Sequence, residues 1–459
     1  MNLSNYSGES AMATVQIQTA KKRLRVVLVA ENVSRRMGGE SGKNLYYFHL
    51  FKERGIDLEI VCHARVRDEL RKEFPDDRDF KRFHFIQDNA LQNLIWRMGK
   101  LFPYRIEDLI FLQIVHWITQ IRARKLVKKL ISKKDIDIVF QPSPITPKGL
   151  NFMYNLGVPV VLGPLAGGVD FPPAFRYMDS RFTNITVTLG RIFSNFLNQI
   201  VPGKVKAETL IVANPLTRKS LPVGCKGKVY QVIECGVDLD IWQPREQPQS
   251  NPDKPVRFVY LGRFVDWKGI KFLVDAFKPV AEKTNAVLEL IGDGELRPEL
   301  EKQVSNLGLE NNVNFRGWVK REEASKLLCE CDVFVMPSLR EAGGNAVLEA
   351  MALGLPVIAT RWAGPANTLH PDCGIWVEPT SINGFVNGFS EAMIKLATEP
   401  ELRLQMGENG PQRIKTNYFD WDSKVDRIIE IFYETLKVKP SSNISNSKRP
   451  NRKIASGYN

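Results

Sequence analysis

The segment "SLREAGGNAVLEAMALGLPVIAT", Ser338–Thr360, decides the fold of this 459-residue chain. An apolar run ends at its first residue, and two glycines, Gly343 and Gly344, follow shortly after. The pattern predicts a strand, a tight bend, a helix from about Asn345 to Leu353 and a second strand. This order of elements is typical of a doubly wound α/β domain.

Short β-rich runs alternate with amphipathic segments along most of the chain, which predicts an α/β protein with two Rossmann-like domains facing each other across a cleft. The predicted strands are residues 23–30, 56–62, 135–140, 158–163, 208–213, 256–262, 287–292, 312–317, 331–338 and 355–360. A segment rich in Pro and Gly places the domain boundary near residue 222. We therefore expect a flexible segment at 1–22, domains at 23–222 and 223–417, a helix at 418–439 and a disordered basic tail at 440–459.

The positive charge is concentrated in the first half of the chain. The net charge is +13, to which residues 1–222 contribute +14 and the remainder −1. Residues 90–134 hold only two acidic residues, interleaved aromatic residues and ten basic residues: Arg97, Lys100, Arg105, Arg122, Arg124, Lys125, Lys128, Lys129, Lys133 and Lys134. This mixture fits a surface that meets anionic lipid, or else an ordinary solvated helix face. We expect no nucleic-acid partner, because no nucleic-acid-binding motif accompanies the charge.

Targeting and redox signals predict a cytoplasmic protein. The first residues lack the basic start and apolar stretch of a secretory signal, and no apolar run reaches the ~18 residues that cross a bilayer. The six cysteines form no CxxC pair, so we expect all of them to be reduced. Together with the basic first half, this predicts a cytoplasmic protein able to lie peripherally on the inner face of the membrane.

The opening segment also carries two carboxylates, Glu341 and Glu349, on either side of the Gly-Gly bend. Glycines permit a close backbone approach, and the first amides of the helix that follows have no internal hydrogen-bond acceptor. Such a helix start suits a phosphate. The segment therefore predicts a clamp for a ribose at Glu349, a diphosphate at the helix start and a further polar group near Glu341, which is the order of parts in a sugar nucleotide.

A second loop supplies the cations that a diphosphate requires. The loop "GRFVDWKG", Gly262–Gly269, directly follows a predicted strand and contains Arg263 and Lys268. A guanidinium and an ammonium can neutralise a diphosphate. No DxD sequence or Asp-rich cluster lies near a strand end, so we expect no metal ion and no cofactor.

With these motifs in place, residues 256–360 resemble the retaining glycosyltransferases of family 4, which have the two-domain GT-B fold. The matching pieces are "YLGRFVDWKGI", "LIGDGELRPEL", "VNFRGWVKREE" and "PSLREAGGNAVLEAMALGLPVIAT". The rest of residues 23–437 resembles the family more loosely. The spacing of the Arg-x4-Lys and Glu-x7-Glu pairs is the specific part of the match.

The resemblance implies a role for each of these residues. Arg263 and Lys268 would hold the diphosphate, and Glu349 the ribose. Glu341 and the amides of Gly343–Asn345 would hold the transferred sugar. The first domain would bind the acceptor and the second the nucleotide sugar, and the last helix would cross back to the first domain.

In the first domain, the resemblance and the departures from it concern backbone loops. The loop "MGGESG" matches the glycine-rich loop of the family, so Gly38 and Gly39 would approach the diphosphate. Many members have a His facing the sugar, but none of the five histidines here has that context. The loop "GPLAGG", residues 163–168, instead resembles a subgroup with a Gly-Pro-x-x-Gly-Gly loop. The common Asn-Gly-Val-Asp after the domain junction reads "ECGVD" from Glu234.

These patterns predict a metal-independent retaining glycosyltransferase. It would move a sugar from a nucleotide diphosphate sugar to a hydroxyl of a lipid-linked glycan or polysaccharide precursor. Three alternatives stay open. A glycosidase also uses two carboxylates but needs no diphosphate site. A sugar-nucleotide epimerase of the same fold would need no acceptor, and a non-catalytic partner in polysaccharide assembly would need no intact site.

Overall fold

The computed structural model describes residues 23–37, 39–102, 107–179, 193–245 and 254–437. Its strands form two parallel sheets, of seven strands in the order β3-β2-β1-β4-β5-β6-β7 and of six in the order β10-β9-β8-β11-β12-β13. The first sheet contains β1 Arg25–Val29, β2 Asp57–His63, β3 Phe83–Ile86, β4 Ile138–Gln141, β5 Val160–Leu165, β6 Thr209–Val212 and β7 Lys228–Gln231. The second contains β8 Val256–Leu261, β9 Ala286–Ile291, β10 Val313–Gly317, β11 Val333–Met336, β12 Val357–Thr360 and β13 Gly374–Val377.

The helices alternate with these strands. The described α-helices are α1 Gly39–Glu53, α2 Arg67–Glu73, α3 Asp77–Phe80, α4 Ala90–Gly99, α5 Gln113–Lys133, α6 Gly203–Lys206, α7 Pro215–Lys219, α8 Ile270–Lys283, α9 Arg297–Asn306, α10 Arg321–Cys329, α11 Asn345–Ala352, α12 Ala363–Thr368, α13 Ile382–Thr398, α14 Pro400–Thr416 and α15 Trp421–Leu436. Residues 193–200 are also helical. A π-helical turn, Glu107–Leu112, precedes α5, and short 3₁₀ helices are Ala64–Val66, Pro173–Met178 and Asp266–Lys268. The predicted fold of two Rossmann-like α/β domains is confirmed.

The central strands are buried on both faces, as the sequence indicates. Val26, Val27 and Leu28 of β1 are fully buried, as are Val333 and Phe334 of β11. Parallel strands covered by helices on both sides read as continuous apolar runs, because each face packs against a helix layer. All ten predicted strands are present, with ends that differ from the prediction by a few residues.

Two boundaries differ from the prediction. The first sheet continues to β7, Lys228–Gln231, so the domain junction lies later than residue 222. The helix α1 already begins at Gly39, within the predicted glycine-rich loop, and it has Glu40 in its first turn. An acidic side chain is favourable at that position because it interacts with the positive end of the helix dipole.

The chain crosses between the two domains at both ends of the second domain. The last helix, α15, packs on the first domain, where Val425, Ile428 and Phe432 join the core of β1 and α1. In the other direction, Phe171 and Phe175 of the first half join the core around α8. The domains therefore exchange core elements and are more than two units joined by a linker.

Within the described ranges, no helix combines the length and apolar character needed to span a lipid bilayer. All six cysteines are free thiols, as predicted.

Candidate functional site

The second sheet has its topological switch point between β8 and β11. From β8 the chain adds β9 and β10 on one side, and it then returns to place β11 on the other side. Loops that leave neighbouring strands in opposite directions open a crevice at their carboxyl ends, where α/β proteins bind ligands. The loop with Arg263 and Lys268 follows β8, and the segment with Glu341 follows β11, so both predicted loops lie at this crevice.

The structure brings Lys268 and Glu341 into contact, since the Lys268 ammonium forms an ion pair with a carboxylate oxygen of Glu341. Both side chains are largely buried. The two loops are also joined through the backbone, because the Leu339 N–H donates to the Trp267 carbonyl at 2.9 Å. Arg263 is exposed, and its guanidinium lies 5.8 Å from the centroid of the Trp267 ring.

Glycines make this close approach of the two loops possible. Gly269 has φ +67°, and a Cβ atom there would lie 2.2 Å from the Pro337 carbonyl oxygen at the end of β11. Gly344 has φ +85° at the start of α11. A residue with a Cβ at position 269 would be strained and would push the two loops apart. Asn345, the first residue of α11, is exposed.

Glu349 lies one turn into α11, is 8 % exposed and pairs with Arg321 at 3.3 Å. Burial raises the pKa of Glu349, and Arg321 acts in the opposite direction. Arg321 also interacts electrostatically with Tyr46 of the first domain, whose hydroxyl donates to Asp238 at 2.7 Å. The predicted ribose carboxylate therefore ends a polar chain that reaches the first domain. Sequence reasoning missed Arg321 and Tyr46, because only the packing of the domains brings them together.

The first domain contacts the site through backbone and amide groups. The Asn214 side chain donates to the Ala342 carbonyl at 2.9 Å, next to Glu341. The loop after β5 is held by Thr217, whose hydroxyl donates to the Gly167 carbonyl at 2.9 Å. Gly39 lies in the first turn of α1, whereas Gly38 lies outside the described residues.

Behind Gly343 lies a group of buried polar side chains. A Cβ on Gly343 would lie 2.4 Å from a Glu234 carboxylate oxygen and 2.8 Å from the Cys235 sulfur. Lys43 of α1 and Lys424 of α15 interact electrostatically with Glu234. Within the described part of the chain, the two ammonium groups and one oxygen of Glu234 are buried without a hydrogen-bond partner. The "ECGVD" segment thus brings a buried carboxylate against the candidate site from the domain junction.

Burial lowers the pKa of Lys43 and of Lys424 to about 8, against the pull of Glu234. Burial likewise raises the pKa of Glu234. All three shifts favour the neutral forms, as expected for charges removed from water without close partners.

Among the described residues, no group of three or more His, Cys, Asp or Glu side chains could hold a metal ion. The absence of a metal from the reaction stays a prediction.

The fold and the site geometry define a class of protein, that of two-domain GT-B folds. The chain superposes on a glycosyltransferase from Rickettsia africae with a TM-score of 0.59 at 16 % identity, covering 91 % of this chain and 99 % of the other. It superposes on HepE from Anabaena, solved in complex with UDP, with a TM-score of 0.58 at 16 % identity, covering 90 % and 100 %. At such identities the likeness establishes the fold alone.

Sequence comparison narrows the class for the second domain. Residues 242–413 match the family described as glycosyl transferases group 1. The chain is 33 % identical over 197 residues to the lipopolysaccharide core biosynthesis glycosyltransferase LpsE of Rhizobium meliloti, covering 43 % of this chain and 54 % of that protein. It is 31 % identical over 249 residues to N-acetyl-alpha-D-glucosaminyl L-malate synthase of Bacillus anthracis, covering 52 % and 64 %. The chain thus spans about half the length of the first curated relatives it matches. The match of residues 242–413 to the group 1 glycosyl transferases supports the assignment of the GT-B fold.

Because Lys43 is buried, we expect the protein to gain stability as the pH rises above 8, and we expect the Lys43→Met variant to lose this gain. A lysine whose folded pKa is about 8 binds fewer protons when folded than when unfolded, between pH 8 and its ordinary value of 10.5. Its unfavourable contribution is therefore complete below pH 8 and is lost as the pH rises toward 10.5. We expect the melting temperature at pH 9.5, relative to that at pH 7.5, to be lower for Lys43→Met than for the wild type.

Differential scanning fluorimetry at the two pH values measures this difference. Lys125→Met, which removes an exposed lysine, is the matched control and should respond to pH as the wild type does. An identical pH response of Lys43→Met and the wild type would contradict the burial of a strained charge at this position.

Proposed function

We propose that the protein is a metal-independent retaining glycosyltransferase of family 4, in the subgroup that has a Gly-Pro-x-x-Gly-Gly loop. It transfers a sugar from a nucleotide diphosphate sugar to an acceptor hydroxyl. One observation carries the proposal: Lys268 and Glu341 meet at the switch point, on the two loops that flank the start of α11. UDP-bound structures among the proteins of the same fold support a nucleotide-sugar donor.

The chemical step places negative charge on the leaving group. The bond from the anomeric carbon to the β-phosphate oxygen breaks, and a bond to the acceptor oxygen forms on the same face. The departing diphosphate takes the acceptor proton, so no protein base is required. Arg263, Lys268 and the first amides of α11 stabilise the charge as it develops on the diphosphate.

The acceptor is a lipid-linked glycan or polysaccharide precursor, and the first domain carries it at an anionic membrane surface. Around α4 several large apolar side chains face solvent, including Leu94, Met98 and Leu101, of which Leu101 is 83 % exposed. On α5 the side chains of Lys125, Lys128, Lys129 and Lys133 are exposed. Apolar insertion combined with basic side chains is the usual basis of peripheral membrane binding.

Removing either diphosphate cation should slow glycosyl transfer. We expect Arg263→Ala and Lys268→Ala each to cost about 2–4 kcal/mol of transition-state stabilisation, or roughly 30- to 1,000-fold in rate. The donor is first identified by a thermal-shift screen of UDP, GDP and ADP sugars, because a ligand that binds only the folded state raises its melting temperature. Transfer to glycan acceptors is then measured in EDTA.

Lys271→Ala is the matched control, because Lys271 lies on α8 and pairs with Glu299 at the surface. Near-normal transfer in both Arg263→Ala and Lys268→Ala would contradict the diphosphate assignment. Turnover of the donor without any acceptor would favour the epimerase, and loss of activity in EDTA would contradict the metal-free mechanism.

The two glutamates should have separable effects. Glu341→Gln removes a carboxylate that neutralises Lys268, so the affinity for the free nucleoside diphosphate should stay equal or rise while sugar transfer slows. Glu349→Gln should weaken the binding of the free nucleoside diphosphate, because a contact to the ribose is lost. Isothermal titration gives the affinities and product formation gives the rates.

Glu378→Gln, an exposed carboxylate paired with Arg361, is the control for these variants. Equal losses of nucleotide affinity in Glu341→Gln and Glu349→Gln would rule out the separate roles.

The basic surface of α5 should determine vesicle binding. Each basic side chain near an anionic surface contributes roughly 1 kcal/mol to binding. Changing four lysines of α5 to Gln should therefore weaken binding to phosphatidylserine vesicles at least tenfold. Lys134 is left unchanged because it pairs with Glu59. The changed residues are Lys125, Lys128, Lys129 and Lys133, and co-sedimentation at low salt measures the binding.

The control carries the same number of Lys-to-Gln changes on the second half of the chain, at Lys283, Lys302, Lys395 and Lys415, which are all exposed. Both variants keep the basic tail, so only the placement of the changes differs. Equal vesicle binding by the two variants would show that the α5 face is an ordinary solvated surface.

A further inference from the structure

A second cavity lies in the first domain, apart from the residues of the candidate donor site. It has a volume of about 460 Å³, which falls within the range of about 300–1,000 Å³ typical of small-molecule sites. Its walls are the carboxyl edge of the first sheet, the helix α4 and the start of α5. None of its lining residues takes part in the donor chemistry proposed above.

Three neighbouring parallel strands each supply one charged residue to this cavity. Glu31, Arg65 and Asp88 each stand two positions beyond the last residue of β1, β2 and β3, respectively. These strands lie side by side in the sheet. Because parallel strands end at one edge, the same offset places the three side chains in a row.

Hydrogen bonds hold these charged groups in place. Arg65 donates to Glu31 at 3.1 Å, and His116 forms a close contact with the other oxygen of Glu31. His63 lies 3.1 Å from Asp88. Burial raises the pKa of Glu31, but His116 and Arg65 lower it by a larger amount. The net shift of the pKa is downward, so Glu31 stays ionised. The cavity thus presents fixed carboxylate acceptors beside a guanidinium whose charge is balanced.

One aromatic ring and two amide side chains also line the cavity. Trp96 is 48 % exposed, and the Lys100 ammonium lies 5.4 Å from its ring centroid. Gln92 and Asn93 lie one turn away on the same helix. The Asn93 amide is exposed, whereas the Gln92 amide is buried and hydrogen-bonded to Asn89 and Thr119. A half-exposed indole offers an apolar face with a polar edge.

We propose that this cavity binds an uncharged sugar ring. Hydroxyl groups pair with carboxylates, amides and a guanidinium alike, whereas the C–H face of a sugar packs on an indole. Binding of a phosphate or a uronate is disfavoured, because Glu31 and Asp88 carry the same negative charge as these ligands. The positive charge of Arg65 is already balanced by Glu31. That this sugar belongs to the acceptor rests on the proposed function, but the sugar site itself does not.

Saturation-transfer difference NMR on the full chain tests the site. The probes are the methyl glycosides of glucose, galactose, mannose and N-acetylglucosamine, with methyl glucuronide as the charged counterpart. Each is measured with and without a saturating concentration of whichever of UDP, GDP or ADP stabilises the protein. We expect at least one neutral glycoside to bind in both conditions, and Trp96→Ala to weaken it about tenfold.

Asn93→Ala, an exposed substitution that cannot disturb the core, should weaken the same glycoside. Leu91→Ala, on the same helix and exposed but outside the cavity lining, is the matched control and should bind the glycoside as the wild type does. Both variants should keep the nucleotide-induced thermal shift, because the donor site lies on the second domain.

The outcomes separate this site from the proposed function. A silent panel, binding of the glucuronide alone, or signals unchanged in Trp96→Ala and Asn93→Ala would each overturn the sugar site and leave the donor site untouched. If no nucleoside diphosphate stabilises the protein while a neutral glycoside binds in a Trp96-dependent way, the sugar site stands and the proposed glycosyl transfer fails.

Discussion

The packing of Gly343 against the domain junction is the constraint on which the candidate site depends. A Cβ at this position would meet the side-chain ends of Glu234 and Cys235, so both buried side chains would have to move to admit it. The same junction is fixed on its other side by α15, where the Trp421 N–H donates to the Val237 carbonyl at 3.2 Å. A shift of one domain against the other must therefore displace the Gly-Gly bend, and with it the start of α11.

Two cations of the site are paired with carboxylates before any ligand arrives. Lys268 is neutralised by Glu341, and Arg321 by Glu349. Isolated cations in a partly buried crevice would destabilise the fold, because desolvation favours their neutral forms. In the proposed reaction, a diphosphate would compete with Glu341 for Lys268. The ion pair would then stabilise the empty protein and give way to the phosphate when the donor binds.

The sequence predicted all of the central strands and one edge strand, β10, and it missed the other three edge strands. The strands β3, β7 and β13 are all edge strands, and each has residues that are only half-buried. An edge strand has one neighbour and less cover, so it lacks the continuous apolar run by which central parallel strands are recognised. The late domain junction has the same origin, since the exposed sequence "KVYQ" of β7 gives no buried pattern.

Some residues of the candidate site can be recognised from local sequence motifs, whereas others join the site only through the tertiary fold. Arg263, Lys268 and the two glutamates lie in short motifs beside strand ends, so their proximity follows from chain topology. Arg321 joins them only because the fold brings the first residue of α10 to Glu349 of α11, which no local pattern encodes. The cavity residues Glu31, Arg65 and Asp88 are an intermediate case: they share one offset from three strand ends, but β3 had to be recognised before that offset could be read. Because parallel strands end at the same edge of the sheet, an equal offset from each strand end places the side chains in a row. This row cannot be predicted from the sequence when one of the strands, such as β3, is not recognised.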